Sequence, residues 1–513
     1  MVKNICLIFE VHQPYRLSGA FYSTENWDTL LNLFDSELDR EVFLRALKKC
    51  YLPASRIILD VVRRYKRENK EIGISFSFSG VFLEQAEKWG KEFLSIVEEL
   101  VSLKAVELLC QTYYHSLASL FRDLEEFKAQ VEMHRKTIEE RFGVKPITFE
   151  NTELIYNDKI GRTVYDLGFK TIIAEGVKKI LGWRSPNYVY KAKGCNLRIL
   201  LRHYMLSDDI AFRFSSRTWD KYPLTADKYL DWIQMCEGQY TLIFVDFETF
   251  GEHHYPETGI HEFLRHLLLI GIKRNLNFVK PSEIIEKFQP VGEFSVPEYN
   301  TISWADEEKD TSAWLNNQFQ VMAFKKLEDL KELLYALGDN ELLKMWRTLQ
   351  ISDHLYYMSS KGGGAGVVHD YFSPFKEPLR AYNTFICILL GLEREAKRRL
   401  FKSERAYKYV TRNVGEKGFR FFKSWSEPLD IVARSLPEFL ENLKTVPIES
   451  IRYHQGRGDF FRWIDSVVGD HALAKKTRSV EPSDPRIRRK LIRLIERRLN
   501  KLAKLRRRRM TVS

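Results

Sequence analysis

The chain has 513 residues, 44% of them hydrophobic and 29% charged, so it is long enough for about two to four domains with a sizeable apolar core. Its net charge of +12 resides near the C-terminus, because the segment Pro485–Met510 contains thirteen Lys or Arg residues and one Glu. The rest of the chain is neutral, which gives no reason to expect an anionic substrate there. The basic segment predicts a contact with nucleic acid, membrane phospholipid or an acidic protein, or else a solubilising helix that packs on the body.

Six cysteines are scattered along the sequence without a CxxC pair, which favours reduced thiols over disulfides or zinc ligands. The first residues turn polar too soon for a signal peptide, and no apolar run reaches membrane-spanning length. These features predict a cytoplasmic protein.

Short apolar strands alternate with amphipathic helices over residues 1–285. Repeated strand–helix–strand units predict a parallel sheet, and this many units favour a barrel over an open sheet. The eight strand candidates are Ile5–Val11, Ile74–Ser79, Val106–Tyr113, Ile147–Glu153, Thr171–Ala174, Leu197–His203, Leu242–Asp246 and Asn277–Val279.

The pattern changes after residue 285. Long helices are predicted at Gln318–Leu337, Asn340–Met358 and Leu379–Leu400, which indicates an α-helical bundle. The sequence therefore predicts an α/β protein in four parts. These are a barrel at residues 1–285, a helical bundle completing the cleft at 286–400, a small accessory domain at 403–480 and a basic amphipathic helix at 481–513.

Polar residues cluster where several predicted strands end. In a parallel barrel the carboxyl ends of the strands meet at one end, so these clusters are expected to converge on one cleft. The sequence contains no GxGxxG, no P-loop and no nucleophile elbow. A pair of carboxylates on different strands, surrounded by His, Tyr and Trp, suits glycoside hydrolysis. The residues that carry this pattern are His12, Gln13, His115, Glu153, Asp246 and Glu248.

Seven motifs in this sequence resemble those of glycoside hydrolase family 57, and within it the α-amylase-like branch. The resemblance spans residues 1–395 and implies an incomplete (β/α)7 barrel followed by a helical bundle, so that one of the eight candidate strands lies outside the barrel wall. The motifs are HQP (His12–Pro14), VELLCQTYYHSL (Val106–Leu117), FENTELIYN (Phe149–Asn157), FVDFETFGEH (Phe244–His253), TISWADEEKDTSAWL (Thr301–Leu315), LQISDHLYYM (Leu349–Met358) and VHDYFSPF (Val368–Phe375).

The resemblance also implies roles for individual residues. Glu153 falls on the family's retaining nucleophile and Asp246 on its acid/base. The other candidates are expected to bind the substrate. His12 and His115 would bond sugar hydroxyls, Trp304 would be a stacking platform with Asp306 as a hydroxyl acceptor, and Glu248 would orient the acid. Gln13 lies beside His12, and for Asp353 and His354 packing or capping is the alternative.

The expected activity is retaining cleavage of internal α-1,4 bonds in an α-glucan, with no cofactor and no metal. Three alternatives stay open. One is a 4-α-glucanotransferase or branching enzyme, and another is a catalytically silent glucan-binding protein. The third is a zinc enzyme with ligands among His12, Asp246, His253 and His254, although HQP lacks the Asp of the HxD zinc motif of related barrels.

Residues 403–476 resemble a small accessory module of archaeal proteins whose biochemistry is unknown. The resemblance rests on VPIESIRYHQGRGDFFRWI (Val446–Ile464) and VVGDHALAK (Val467–Lys475). His454, Arg457 and Asp459 could form a site in this module, with a structural use of the loop as the alternative.

Overall fold

The computed structural model describes residues 2–18, 33–362, 373–403 and 405–510, with side chains described to residue 504. The predicted motif Val368–Phe375 therefore lies mostly outside the described residues. In the described part of the chain, no helix combines the length and the apolar character that a membrane span requires.

The chain divides into two compact units. The first consists of Met1–Glu328 with Met345–Leu389, and the second of Asp329–Lys344 with Leu390–Ser513. Residues 286–400, predicted as one helical bundle, are divided between the two units. The accessory segment and the basic helix, predicted as separate parts, belong to one unit.

The first unit is built on a ten-stranded sheet, in which all but one of the pairings are parallel. Its strands are β1 Asn4–Val11, β2 Ile74–Phe78, β3 Val106–Leu108, β4 Thr148–Glu150, β5 Thr171–Glu175, β6 Tyr190–Ala192, β7 Arg198–Arg202, β8 Thr241–Asp246, β9 Asn277–Phe278 and β10 Glu293–Phe294.

Seven of these strands form a nearly closed parallel barrel in the order β1, β2, β3, β4, β5, β7, β8 and back to β1. Two neighbouring strand pairs are each joined through a single residue pair, which is Cys110 with Phe149 between β3 and β4 and Arg202 with Leu242 between β7 and β8. The predicted barrel is confirmed. The eighth candidate strand is β9, which pairs with the start of β1, whereas β6 and β10 escaped the sequence analysis because each has only two or three residues.

The helices that follow the strands are amphipathic. In Leu52–Arg67, for example, Ile58, Val62 and Tyr65 are buried at helical spacing while Arg63 and Lys66 are exposed. The α-helices up to residue 400 are Ser36–Ala46, Leu52–Arg67, Gly80–Trp89, Lys91–Ser102, Glu125–Phe142, Asp158–Asp166, Lys178–Leu181, Tyr204–Asp208, Ala226–Met235, Ile260–Lys273, Pro281–Lys287, Ser312–Leu315, Gln318–Leu337, Asn340–Thr348, Ser352–Tyr356 and Pro378–Leu400.

The predicted helix Asn340–Met358 is wrong as one continuous element. It ends at Thr348 and a new helix begins at Ser352, with Ile351 in an extended conformation between them. Ile351 pairs with Ser116 in a β-bridge, and the Ser352 N–H donates to the His115 carbonyl at 2.9 Å. These bonds to the loop after β3 replace the helical ones, and they bring the motif around Ser352 to the barrel.

The second unit contains a hairpin of β11 Phe419–Ser424 and β12 Glu427–Ala433, whose Phe419 and Phe421 pack on the rings of Phe439 and Phe460. The basic helix Ile487–Met510 packs in the same unit. Its other helices after residue 400 are Arg405–Val410, Leu436–Thr445, Ile448–Arg457, Asp459–Trp463 and His471–Arg478.

One ion pair ties the basic helix into this unit. Arg498 donates from Nε and Nη2 to the two carboxylate oxygens of Asp470, at 2.6 and 3.1 Å, and Asp470 is fully buried. Asp470 also caps the helix His471–Arg478.

Replacing Arg498 by Met should lower the free energy of unfolding of the second unit by about 3 kcal/mol, because it leaves a buried carboxylate without its counter-charge. Arg497→Met, at an exposed neighbour, should change it by less than about 0.5 kcal/mol. Denaturant unfolding followed by tryptophan fluorescence measures both. Equal stability of the two variants would show that the pair does not hold the helix.

Candidate active site

A layer of ionisable and polar side chains closes one end of the barrel interior. Residues two positions apart on a strand face the same side of the sheet. Ile8, two positions before Glu10, and Phe244, two positions before Asp246, are buried in the barrel interior, so Glu10 and Asp246 also face that interior. Register pairs Glu10 with both Ser77 and Asp246, and Glu175 with Arg202. The layer consists of Glu10, Ser77, Glu150, Glu175, Arg202 and Asp246.

Glu153 lies just beyond this layer, in the turn Thr152–Leu154 that follows β4. Its φ of 59° is left-handed, a conformation that costs a non-glycine residue about 1–3 kcal/mol. Ser303 Oγ and the Trp304 N–H donate to its carbonyl at 2.9 and 3.2 Å and hold this turn.

The carboxylate of Glu153 faces several donors. Trp304 Nε1 donates to Oε2 at 2.7 Å, Ser352 Oγ donates to Oε1 at 3.3 Å, and His115 Nε2 lies 3.4 Å from Oε1. The side chain is 19% exposed. This carboxylate is therefore fixed in direction by its donors and still open to a ligand.

Asp246 ends β8 in a different environment. Burial and the nearby charge of Glu153 raise the pKa of Asp246 to about 7, against the opposing effect of the Arg202 guanidinium. A carboxyl group with this pKa carries a proton for much of the time near neutral pH. The two carboxyl groups thus interact electrostatically, and they lie in different environments.

Two stacked imidazoles adjoin the pair, with the His12 and His115 rings 4.0 Å apart. Burial and the neighbouring His115 lower the pKa of His12 to about 4. Neutral His12 accepts from Ser79 Oγ at 2.7 Å and donates to Asp353 at 3.1 Å. Burial would also lower the pKa of His115, but the hydrogen bond and charge of Glu153 raise it above its ordinary value.

A chain of hydrogen bonds through Gln111 and Ser77 to Glu150 orients His115. Its Nδ1 donates to Gln111 Oε1 at 2.9 Å, Gln111 Nε2 donates to Ser77 Oγ at 2.9 Å, and Ser77 donates to Glu150 at 2.9 Å. Glu10 Oε1 lies 3.3 Å from the same Nδ1. With Nδ1–H donated to Gln111, Nε2 can donate to Glu153 only from the protonated ring, which is the form that the raised pKa of His115 favours.

Arg202 compensates the buried carboxylates. Its guanidinium donates to Glu175 at 2.9 Å, to Asp208 at 2.6 Å and to the Phe244 carbonyl at 2.8 Å, while its cationic carbon lies 5.4 Å from the centroid of the Trp304 ring. Arg202 thus fixes the ring whose N–H bonds Glu153.

The two residues predicted from the helical segment behave differently. Asp353 reaches the site, where the hydrogen bond and charge of His12 outweigh burial and lower its pKa well below the usual range. His354 is buried among aromatic rings, and neither ring nitrogen has a hydrogen-bond partner among the described residues. It is therefore a packing residue in this structure.

Glu248 and Gln13 are both hydrogen-bonded to Tyr51. The strand ends at Asp246 and a 3-10 turn follows, so the alternation that would have put Glu248 on the face of Asp246 does not apply. Tyr51 OH donates to Glu248 at 2.5 Å and accepts from Gln13 Nε2 at 3.0 Å. The turn after Glu248 requires glycine at position 251, because a Cβ there would lie 1.9 Å from the Lys49 carbonyl oxygen.

The remaining candidates are placed as follows. Trp304 is a hydrogen-bond donor to Glu153 as well as an aromatic surface, and Asp306 binds the Lys361 ammonium at 2.8 Å. His254 has both ring nitrogens in use, Nδ1 with Ser215 and Nε2 with backbone carbonyls. Among the described residues, no group of three or more His, Cys, Asp or Glu has the arrangement of a metal site.

Sequence reasoning missed four members of the polar layer, Glu10, Ser77, Glu175 and Arg202, and it placed Glu150 in the polar cluster after the fourth strand without giving it a role. A signal was present, because each lies two positions after a buried inward residue at the carboxyl end of a strand. This spacing identifies site residues only when the ends of the strands are known.

With this geometry in view, the comparisons with known proteins are specific. The model of Glycosyl hydrolase family 57 matches residues 6–297. A protein of Methanocaldococcus jannaschii described as "Putative alpha-amylase" is 46% identical over 406 residues, which are 77% of this chain and 85% of that protein. The chain belongs to glycosyl hydrolase family 57.

Solved structures of this family share the fold. A family 57 branching enzyme from Thermococcus kodakaraensis superposes with a TM-score of 0.55 at 14% identity, covering 80% of this chain and 91% of that one. The 4-alpha-glucanotransferase of Thermococcus litoralis gives 0.50 at 17% identity, covering 80% and 61%. The predicted family, its barrel and its α-glucan-active, α-amylase-like glycoside hydrolase character are thereby confirmed.

Arg202→Met should lower the free energy of unfolding of the first unit by about 3–5 kcal/mol, because the buried carboxylate of Glu175 loses its nearest counter-charge and keeps only the Lys309 ammonium, at 3.6 Å. Arg198→Met is the matched control on the same strand, since its guanidinium has a long 3.5 Å contact to Gln289. Guanidinium chloride titrations compare the two, and equal losses would show that the strand rather than the ion pair sets the effect.

Proposed function

We propose that the protein hydrolyses internal α-1,4 bonds of an α-glucan by double displacement, with Glu153 as nucleophile and Asp246 as general acid and base. The observation that carries this proposal is the contrast between the two carboxyl groups. Glu153 faces three donors, whereas burial and the charge of Glu153 raise the pKa of Asp246 to about 7. A retaining glycosidase requires one ionised carboxylate and one protonated carboxyl group.

In the first step an oxygen of Glu153 attacks the anomeric carbon and the bond to the leaving oxygen breaks. Asp246 gives its proton to that oxygen, so the departing glucan chain leaves as an alcohol. The donors to Glu153 hold its attacking direction, because Trp304 and Ser352 each engage one carboxylate oxygen.

The second step follows from the same electrostatics. Once Glu153 is an ester, its negative charge is gone, and with it one cause of the raised pKa of Asp246. Asp246 therefore ionises more readily and removes a proton from the incoming water. Water attacks the anomeric carbon, the ester bond breaks and Glu153 is regenerated as a carboxylate.

His12, His115 and Asp353 are proposed to bind sugar hydroxyls next to the reacting bond. Asp353 is ionised and accepts from neutral His12, and His115 presents Nε2 toward Glu153. A sugar hydroxyl at this position would donate to the Asp353 carboxylate and accept from the Nε2–H of protonated His115.

Transglycosylation is the second candidate, since it shares the covalent intermediate and differs in the acceptor. The fold neighbours that are named as branching enzyme and 4-alpha-glucanotransferase support keeping it. Incubation with a maltooligosaccharide of one length distinguishes them: shorter products alone mean hydrolysis, and longer ones mean transfer. Binding without any turnover would instead leave a silent glucan-binding protein.

We infer that this reaction takes place in the cytoplasm. All six cysteines are free thiols, and four of them are buried. Reduced, unpaired thiols are typical of a reducing compartment.

Glu153→Gln and Asp246→Asn should each lower kcat by about 10²-fold or more on maltooligosaccharides. They should differ on an aryl glycoside with a dinitrophenolate leaving group, which needs no proton. Asp246→Asn should then retain formation of the glycosyl ester, whereas Glu153→Gln should not. Burst kinetics of phenolate release measure this difference.

Glu107→Gln is the matched control, because Glu107 is a half-buried carboxyl group in the middle of β3, bonded to Thr148 and Ser282. It should keep kcat within about threefold if it folds like the native chain. Full turnover by Glu153→Gln or Asp246→Asn would exclude the proposed roles.

The rate should fall as the pH rises through about 7, because Asp246 then loses the proton that it donates. The charge of Asp353 contributes to this raised pKa, so Asp353→Asn should shift the alkaline limb of kcat/KM to lower pH. A pH profile of both proteins tests the sign, and a shift to higher pH would contradict it.

A further inference from the structure

The second unit has an exposed basic face that its own fold does not neutralise. On the helix Ile487–Met510, Arg489, Arg493, Arg497, Lys501 and Lys504 recur at intervals of four, four, four and three residues, and all are exposed. Residues at this spacing lie along one side of a helix. None of the five has an ion pair or side-chain hydrogen bond with the residues whose side chains are described.

The opposite side of this helix is already occupied. Ile487, Leu491, Ile495 and Leu502 are each at most 1% exposed, and such burial stabilises by about 1.5–3 kcal/mol per side chain. Like charges four residues apart cost about 0.2–0.5 kcal/mol per pair, so packing easily holds the basic row in place. Because the apolar face is used inside the unit, it is not available for insertion into a membrane surface.

Other cations of the helix have structural tasks, which sets the exposed row apart. Arg488 donates to the carbonyls of Leu443, Lys444 and Val446 at the end of the helix Leu436–Thr445. Arg498 binds buried Asp470.

A second feature of the same unit is an aromatic and basic cavity of about 330 Å³ at the β11–β12 hairpin. Trp425 in the hairpin turn lines this cavity and is 82% exposed, so its ring is open to a ligand. Arg420, also exposed, makes no ion pair with the described residues. Arg457 stacks on Tyr453 at 5.3 Å from the ring centroid.

The cavity floor is rigid and self-sufficient. His454 accepts from the Phe422 N–H at Nε2 and donates to Asp459 at Nδ1, both at 2.8 Å, and Arg457 donates to Asp459 at 3.2 Å. These three residues, candidates for a site in the sequence, therefore shape the cavity and leave Trp425, Tyr453 and Arg420 for a ligand.

One helix connects the two features. Ile448–Arg457 contacts β11, which lines the cavity, and also contacts the basic helix. A row of cations with aromatic side chains nearby is the arrangement that binds single-stranded nucleic acid, with phosphates on the cations and bases stacked on the rings. An acidic protein or an anionic membrane would use the cations but would not require the cavity.

We propose that the second unit binds single-stranded nucleic acid through two elements, with phosphates on the exposed cations of the basic helix from Arg489 to Lys504 and a base stacked on Trp425 at the cavity. The proposal is independent of the glycosidase activity, because none of these residues belongs to the proposed catalytic site. It assigns the basic helix a ligand of defined chemistry.

Fluorescence anisotropy of the full chain with a labelled 15-nucleotide single-stranded RNA of mixed sequence, at 50–300 mM salt, tests this. Arg489→Glu/Arg493→Glu/Arg497→Glu should weaken binding at least about tenfold and reduce the slope of log K against log salt by about 2, since each phosphate contact contributes about 0.7. Trp425→Ala should weaken binding about fivefold or more.

Matched controls are Lys66→Glu/Arg67→Glu/Lys128→Glu, which reverses three exposed charges in the first unit, and Trp183→Ala, at a ring that is 95% exposed. Both should bind RNA like the native chain. Circular dichroism and activity on maltooligosaccharides check that each variant folds.

Unchanged RNA binding by the basic-row variant would overturn the proposal. So would tighter binding to phosphatidylserine vesicles or to a poly-glutamate peptide than to RNA. An unaffected Trp425→Ala variant together with equal affinity for double-stranded DNA would overturn the single-strand assignment.

Discussion

The constraint on which the first unit depends is the burial of several carboxyl groups within one end of a narrow barrel. Glu10, Glu150, Glu175 and Asp246 occupy adjacent inward positions, and burial raises the pKa of each of them. Such a cluster folds only if some members keep their protons and others receive a counter-charge. The Arg202 guanidinium supplies that charge to Glu175. Glu10 has no guanidinium beside it among the described residues, and other carboxyl groups surround it.

This uneven compensation is also what gives the site its chemistry. Glu153 sits outside the buried layer, partly exposed and surrounded by donors, whereas Asp246 sits inside it. The strand-to-turn transition after β4 creates the difference, because the left-handed backbone at Glu153 turns its side chain out of the inward row. Strain of about 1–3 kcal/mol is comparable with the net stabilisation from the two hydrogen bonds that hold this turn, about 0.5–1.5 kcal/mol each.

Much of the fold could be predicted from the sequence, and the reasons are local. Buried strands with inward and outward rows give continuous apolar runs, so seven barrel strands were recognisable, although β3 and β4 end several residues earlier than their patterns suggested. Short elements such as β6 carry too few residues for a pattern. The helix Asn340–Thr348 was extended too far, because the bonds that end it come from the distant residues His115 and Ser116.

The sequence by itself determined the family and the barrel, and it singled out Glu153 and Asp246 as candidate residues, since these inferences depend on motifs and on the period of the strands. Only the tertiary structure decided which neighbours act on them. It brought Asp353 from a helix to His12, buried His354 away from the cleft, and used Gln13 and Glu248 to support one another through Tyr51. Spacing along a chain fixes the face of an element, whereas electrostatic environment depends on contacts between elements far apart in sequence.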